Sequence, residues 1–283
     1  MVFQRSQIEE VANHIRAAWK PNPRVGIVLG SGLGASVESM DVEVEFEYGD
    51  LPHFPRSTAV GHRGRLLAGE LAGLPVIAMQ GRFHLYEGYT PQQVTFPIRV
   101  MRGLGADLLI VCNAAGGLHS TYAAGDIMAI DDHINMMFQN PLIGINDDRL
   151  GPRFPDMSSP YDPALIQQVM QIAREHDFTC HRGVYIGMLG PNYETRAEYR
   201  FLRRFGGHVV GMSTVPEVLA AVHAGMRVLG LSMIANVATP DNLAATSGAE
   251  VVAVADRAAN KVATIIHGII SQFGAELQER AGH

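Results

Sequence analysis

Two kinds of polar side chain recur where the apolar runs of this sequence end. The first kind donates hydrogen bonds. Ser31 sits in the glycine turn of "VLGSGLG", His62 in "VGHRGRL", Arg82 and His84 in "QGRFHLYEGY", and Ser213 in "VGMSTVPE". The backbone at Ala114, in the small-residue stretch "CNAAGG", can join them. Hydroxyls, imidazoles and amide N–H groups converging with one guanidinium make an anion site. The second kind suits a flat heterocycle. Tyr193 and Glu194 lie in "GPNYE", and Asn236 ends "LSMIAN". A carboxylate accepts, an amide both donates and accepts, and a tyrosine ring stacks. The sequence contains no HExxH, no Asp-rich triad and no G-x-S-x-G. Metal-hydrolase and serine-hydrolase chemistry therefore have no motif behind them.

Each of these residues also has a purely structural reading. Ser31 can shape a turn, and His62 and His84 can be packed or surface histidines. Arg82 can pair with nearby Glu87. Tyr86, Tyr193 and Met212 can be core or interface residues, Glu194 can favour a helix N-terminus, and Asn236 can cap a strand. Position argues for a shared site: most of them follow runs that read as strands. In open α/β sheets, ligands bind beyond the carboxyl ends of strands.

The elements that would carry them follow from periodicity. Ser6 and Glu9 have capping-box spacing ahead of a helix that Pro21 and Pro23 end. Val25 to Leu29 reads as a strand entering the glycine turn. "VEVEFEY" alternates, as a strand with one wet face does. "GRLLAGELAGLPVIAMQG" reads as two strands joined near Ala72 and Gly73. Thr90 and Pro91 open a helix that Pro97 kinks or weakens. Leu108 to Cys112 reads as a buried strand stopping at small residues. "GDIMAIDDHINMM" is a further strand region. Residues 140–160 form a long loop rich in Pro, Gly, Asp and Asn. Helices are expected over Pro163 to His176, from Thr195, from Pro216, and from Ser247 to about Phe273. Strands fall at "GVYIGML", "HVVGM" and "RVLGLSMIAN". Strands alternate with helices and no linker or repeat intervenes, so residues 1–283 read as one α/β domain with a large mixed sheet.

The first glycine turn also fits G-x-G-x-x-A, with Asp50 twenty residues after Gly30, as in dinucleotide-binding folds. Asp50 lies in "YGDLPHFP", however, which reads as a loop. The composition is that of a globular enzyme, with 47% hydrophobic and 18% charged residues. A net charge of −6 and the absence of any long basic run disfavour sequence-independent nucleic-acid binding. Cys112 and Cys180 form no CxxC pair and read as reduced thiols. The N-terminus has no signal-peptide pattern and no segment suits a membrane span. The expected location is the cytoplasm.

Taken in order, "VLGSGLG", "VGHRGRL", "QGRFHLYEGY", "CNAAGGL", "DHIN", "RFPDMS", "GPNYETRAEYR" and "VGMSTVPE" resemble the trimeric purine nucleoside phosphorylases. The likeness runs from about residue 25 to 240. It implies one α/β domain with a twisted, partly barrel-like mixed sheet flanked by helices. It implies reversible phosphorolysis of a purine nucleoside to the free base and pentose 1-phosphate, with 2′-deoxy forms included. It assigns Ser31, His62, Arg82, His84, Ala114 and Ser213 to phosphate, and Tyr86 and Met212 to ribose. Tyr193, Glu194 and Asn236 fall to the purine. Phe154 matches a phenylalanine that relatives lend to the neighbouring subunit's site, which implies a homotrimer. Asn236, Glu194 and His84 are the expected catalytic groups. Neither a metal nor an organic cofactor is implied, because inorganic phosphate is a co-substrate. Relatives that prefer 6-amino purines carry aspartate where this chain has Asn236, so inosine and guanosine are the expected substrates.

The sequence departs from the resemblance at the start of the last helix. Gly248 stands where relatives place a histidine next to the sugar 5′-hydroxyl, and 239–245 is unlike them. A larger 5′ pocket follows, and with it the alternative of a 5′-methylthioinosine or methylthioadenosine phosphorylase. An NAD-linked oxidoreductase and a non-catalytic nucleoside-binding protein are the remaining alternatives.

Overall fold

The computed structural model describes residues 5–59, 61–238 and 247–281. Strand β1 (Val25–Leu29) is buried at every position, as a strand covered on both faces must be. It lies parallel to β4 (Leu74–Gln80) on one side and β5 (Leu108–Gly117) on the other. Beyond β4 come β3 (Arg65–Leu71) and β2 (Asp41–Glu47), both antiparallel to their neighbours. The outermost strand, β2, shows the alternating wet face expected of it. Ala72 and Gly73 turn the β3–β4 hairpin with positive φ.

On the other side of β5, the sheet curls on itself. The order runs β5, β8 (Val209–Gly211), β7 (Cys180–Gly187), β6 (Ile127–Asn135) and β9 (Arg227–Val237), and β9 pairs back onto β5. These five strands make a closed mixed barrel, so the partly barrel-like sheet expected from the resemblance is what the chain adopts. β5 belongs to both halves. It does not stop at Cys112: its small residues, Ala114 to Gly117, stay in the strand. They must be small because β9 comes close, and a Cβ on Gly117 would lie 3.1 Å from Ile234 Cγ2.

Six helices flank the sheet among the described residues: α1 (Arg5–Ala18), α2 (Pro91–Leu104), α3 (Pro163–Glu175), α4 (Arg196–Arg204), α5 (Val215–His223) and α6 (Gly248–Ala281). Some of the expected elements differ in detail. Helix α1 already runs at Arg5, and Glu9 accepts from Arg5 Nε at 2.6 Å, so Ser6 lies within the helix. Pro97 lies inside α2, which runs on to Leu104 and packs against α1 and α5. α6 runs eight residues beyond Phe273, to Ala281. The capping box of Ser247 with Glu250 is present, and so is that of Thr195 with Glu198. No helix among the described residues is long and apolar enough to cross a membrane.

The glycine turn after β1 has a packing reason distinct from a dinucleotide site. Gly32 has φ +74°, and a Cβ there would meet Ala255 Cβ at 2.6 Å and Val252 O at 2.7 Å, both on α6. The turn leads only into a short 3-10 stretch, Gly34–Val37. No α-helix N-terminus is therefore offered to a pyrophosphate. Asp50 sits in a second 3-10 turn, Tyr48–Asp50, as its loop context implied.

Candidate active site

One cleft opens where β1, β4, β5, β7, β8 and β9 end. Of the residues singled out from the sequence, Ser31, Arg82, His84, Tyr86, Ala114, Tyr193, Glu194, Met212, Ser213 and Asn236 all line it. Asn113, Tyr199 and Val251 join them. His62 lies one layer behind. Phe154 is elsewhere, 86% exposed on the long 140–160 loop.

Arg82 is the electrostatic centre. Its side chain is 1% exposed and its Nε lies 2.9 Å from Glu217 Oε1, itself buried in the first turn of α5. Arg82 therefore does not pair with Glu87, the partner its sequence neighbourhood suggested. Removing one member of such a buried pair typically costs about 3–5 kcal/mol, because it strands a charge. Arg82 Nη1 donates to Ser213 Oγ at 3.1 Å and to Thr214 Oγ1 at 3.3 Å. Its Nη2 is buried with no hydrogen-bond partner among the described residues. A buried donor left unsatisfied is costly, and an anion in the cleft would satisfy it.

Thr214 shows how tightly this corner is drawn. Its φ and ψ are 71° and −53°, and Val215 N donates to Ser213 O at 2.8 Å. That is a positive-φ γ-turn, rare for a β-branched residue, and such backbone costs about 1–3 kcal/mol. Thr214 is the N-cap of α5, yet its hydroxyl makes no capping bond. The hydroxyl is used instead by Arg82 and by Asn113 Nδ2, at 2.9 Å. Tyr185 fixes the turn from below: its hydroxyl donates to Ser213 O and accepts from Ser213 N, both at 3.2 Å.

The histidines stack. His62 lies 5.2 Å from His84, and His84 lies 4.5 Å from Tyr86, ring to ring. Burial pushes the His62 imidazole down to about 4, helped by His84 and opposed by its bond to the Arg82 backbone. The ring is therefore neutral at ordinary pH. Its Nε2 lies 3.1 Å from Ser31 Oγ, and its Nδ1 faces the Arg82 carbonyl at 2.9 Å. His62 thus orients Ser31 and the backbone of Arg82. His84 Nδ1 is 2.8 Å from Glu87 Oε1. Burial would raise the Glu87 carboxyl, but hydrogen bonds from His84 and Thr58 outweigh it and hold it at about 2.

The other end of the cleft carries the carboxylate and the amide. Thr195 and Glu198 cap α4 between them, so Glu194 is not needed there. Its carboxylate instead accepts from the Tyr199 hydroxyl, one turn into α4. Burial raises the Glu194 carboxyl above its ordinary value, although the Tyr199 bond and its own backbone amide oppose this. Asn236 belongs to β9, opposite Gly116, just past a register shift in the β5–β9 ladder. Such a bulge re-aims the side chain that follows it. Gly116 leaves room: a Cβ there would lie 3.5 Å from Asn236 Oδ1. Met212 is packed over Gly190, where a Cβ would lie 2.3 Å from its Sδ.

Sequence reasoning missed Glu217 and Tyr199. For Glu217 a signal existed: an acid in the first turn of an otherwise apolar helix. Gly248 opens α6, and no atom of the described residues lies within 4 Å of a Cβ built there. Val251, one turn on, reaches the cleft. The departures at 239–245 lie outside the described residues. Among the described residues, no three His, Cys, Asp or Glu side chains gather as a ligand set.

A single buried guanidinium ringed by hydroxyls, with an acceptor–amide pair across the same cleft, defines a site for an anion beside a flat polar ring. The phosphorylase superfamily matches residues 24–271, and the chain belongs to that superfamily. It is 48% identical over 269 residues to purine nucleoside phosphorylase 1 of Bacillus subtilis, covering 95% of this chain and 99% of that protein. It is 44% identical over 269 residues to the rat purine nucleoside phosphorylase, covering 92% of each. Among solved structures, it superposes on a Schistosoma mansoni purine nucleoside phosphorylase in complex with adenosine with a TM-score of 0.91. The identity is 38%, covering 96% of this chain and 98% of that one. For the Schistosoma mansoni enzyme in complex with inosine the TM-score is 0.88 at 37% identity, with the same coverage.

The Glu194–Tyr199 contact gives a direct check. The Tyr199 bond favours the charged carboxylate, so Tyr199→Phe should move the Glu194 midpoint further up. Carboxyl-carbon NMR titration should show that upward move. A midpoint that stays or falls would contradict the contact.

Proposed function

We propose that the chain is a pentosyltransferase of one domain, residues 1–283, that carries out reversible phosphorolysis of 6-oxopurine nucleosides and their 2′-deoxy forms. The observation that carries this reading is the cleft itself, which brings Arg82 with its ring of donors together with Glu194 and Asn236. Inorganic phosphate binds to Arg82, His84, Ser31, Ser213 and the Ala114 backbone, with His62 orienting Ser31. The phosphate attacks C1′ of the sugar, which gains oxocarbenium character as the bond to the base lengthens. Holding the nucleophile on the face opposite the leaving base supplies much of the rate. Tyr86 and Met212 hold the sugar, and Tyr193 stacks on the purine. Glu194 accepts from purine N1–H, and Asn236 bonds N7 and the 6-oxo group as charge builds on the leaving base. Phosphate is a co-substrate, and no metal or organic cofactor takes part.

The reading extends to assembly. Phe138, Ile143, Ile145 and Phe154 are all exposed on or beside one loop segment. Apolar side chains grouped on a surface in this way suit a protein partner. A homotrimer in which Phe154 reaches the neighbouring cleft would cover them. Cytoplasmic purine salvage is the cellular role this activity fits.

Four measurements test the reading. Base release from inosine, guanosine, adenosine and their 5′-methylthio counterparts should depend on phosphate and be faster with inosine and guanosine than with adenosine. Asn236→Asp should shift preference toward 6-amino purines. Adenosine turned over at least as fast as inosine would remove the 6-oxo assignment, and a 5′-methylthio nucleoside preferred over inosine would replace the substrate. Light scattering should give a three-chain particle, and Phe154→Ala should raise the nucleoside KM more than the phosphate KM. A fully active single chain would contradict the shared site.

A further inference from the structure

The guanidinium of the anion pocket is not a free cation. Arg82 is the one arginine lining the cleft among the described residues, and Glu217 does not line it. The two side chains are 1% and 3% exposed, with Nε and Oε1 2.9 Å apart. Glu217 Oε2 is buried with no hydrogen-bond partner among the described residues. The charged partner of this carboxylate is Arg82. It comes from a different part of the chain, the first turn of α5.

The electrostatic consequence is specific. The Arg82–Glu217 pair is neutral overall. A phosphate dianion beside Arg82 meets a guanidinium that already has a counter-charge and lies in the field of a second negative charge. Water and salt screen such a buried like-charge interaction far less than they screen a surface one. The same carboxylate supplies the counter-charge that lets Arg82 stay ionised and fixed without exposure to water.

We infer that Glu217 is a positioning residue that holds Arg82 in the pocket and, through its charge, limits how tightly the pocket binds phosphate, so that phosphate esters leave readily. The inference rests on the reading of Arg82 as the phosphate ligand.

Glu217→Gln isolates the charge, because glutamine keeps the length and a neutral oxygen close to Arg82 Nε. The KM for phosphate and the inhibition constant for inorganic sulfate should each fall about tenfold, about 1.4 kcal/mol. The nucleoside KM should change less than twofold. A phosphate KM that is unchanged or higher overturns the inference. Phosphate should also raise the melting temperature of Glu217→Gln more than that of the unaltered protein, since the anion can replace the lost counter-charge. A variant that folds only when phosphate is present gives the same answer, and one that phosphate does not rescue overturns it. Arg82→Ala separates the two levels. If it leaves the phosphate KM unchanged, the phosphate-site reading itself fails. If it raises that KM steeply while Glu217→Gln changes nothing, only the role of Glu217 fails.

Discussion

Keeping one guanidinium charged and out of water is the constraint around which this site is built. Arg82 is almost fully buried, and a buried cation persists only when paired and hydrogen-bonded. Glu217 provides the pairing. Ser213 and Thr214 provide the hydrogen bonds, from a γ-turn whose strained backbone is braced by Asn113 and Tyr185. α5 gives up its own N-cap hydroxyl to this arrangement. The strain and the missing cap are local costs borne by a well-packed core, a pattern common at functional sites.

The barrel does the complementary task of bringing a second chemistry to the same cleft. β5 pairs with β1 in its first half, with β8 at its end and with β9 along its whole length. The small residues at its end let β9 approach and place Asn236 opposite Gly116. Closing five strands therefore sets an amide beside an anion pocket without any inserted domain. The segment before α4 supplies the acidic partner, Glu194, which is not needed at the helix start because Thr195 and Glu198 satisfy it.

Much of this was legible from the residues. Apolar runs and, for β2, alternation located the nine strands among the described residues, and the donors other than His62 fall in one cleft as the strand-end rule requires. The capping-box spacing of Ser247 with Glu250 marked a helix start correctly. At Ser6 the same spacing misled, since Arg5 takes Glu9 in an ion pair and the helix starts earlier. "CNAAGG" looked like a strand end because small residues weaken a strand signal, whereas here closeness to β9 demands them. The G-x-G-x-x-A pattern was ambiguous for a similar reason: Gly32 is required by α6, not by a pyrophosphate. Glu217 and Tyr199 stayed hidden because their partners, Arg82 and Glu194, are set by tertiary packing. Local spacing instead offered Glu87 to Arg82, and the fold gave Glu87 to His84.

The central claim is that the anion held beside Arg82 is the nucleophile. Phosphorus NMR of the protein with inosine and inorganic phosphate tests it most directly. The account predicts that the phosphate signal is converted to a sugar-phosphate ester in step with hypoxanthine release, and that no base is released without phosphate. Base released at the same rate in phosphate-free buffer, with no new phosphorus signal when phosphate is present, would contradict it.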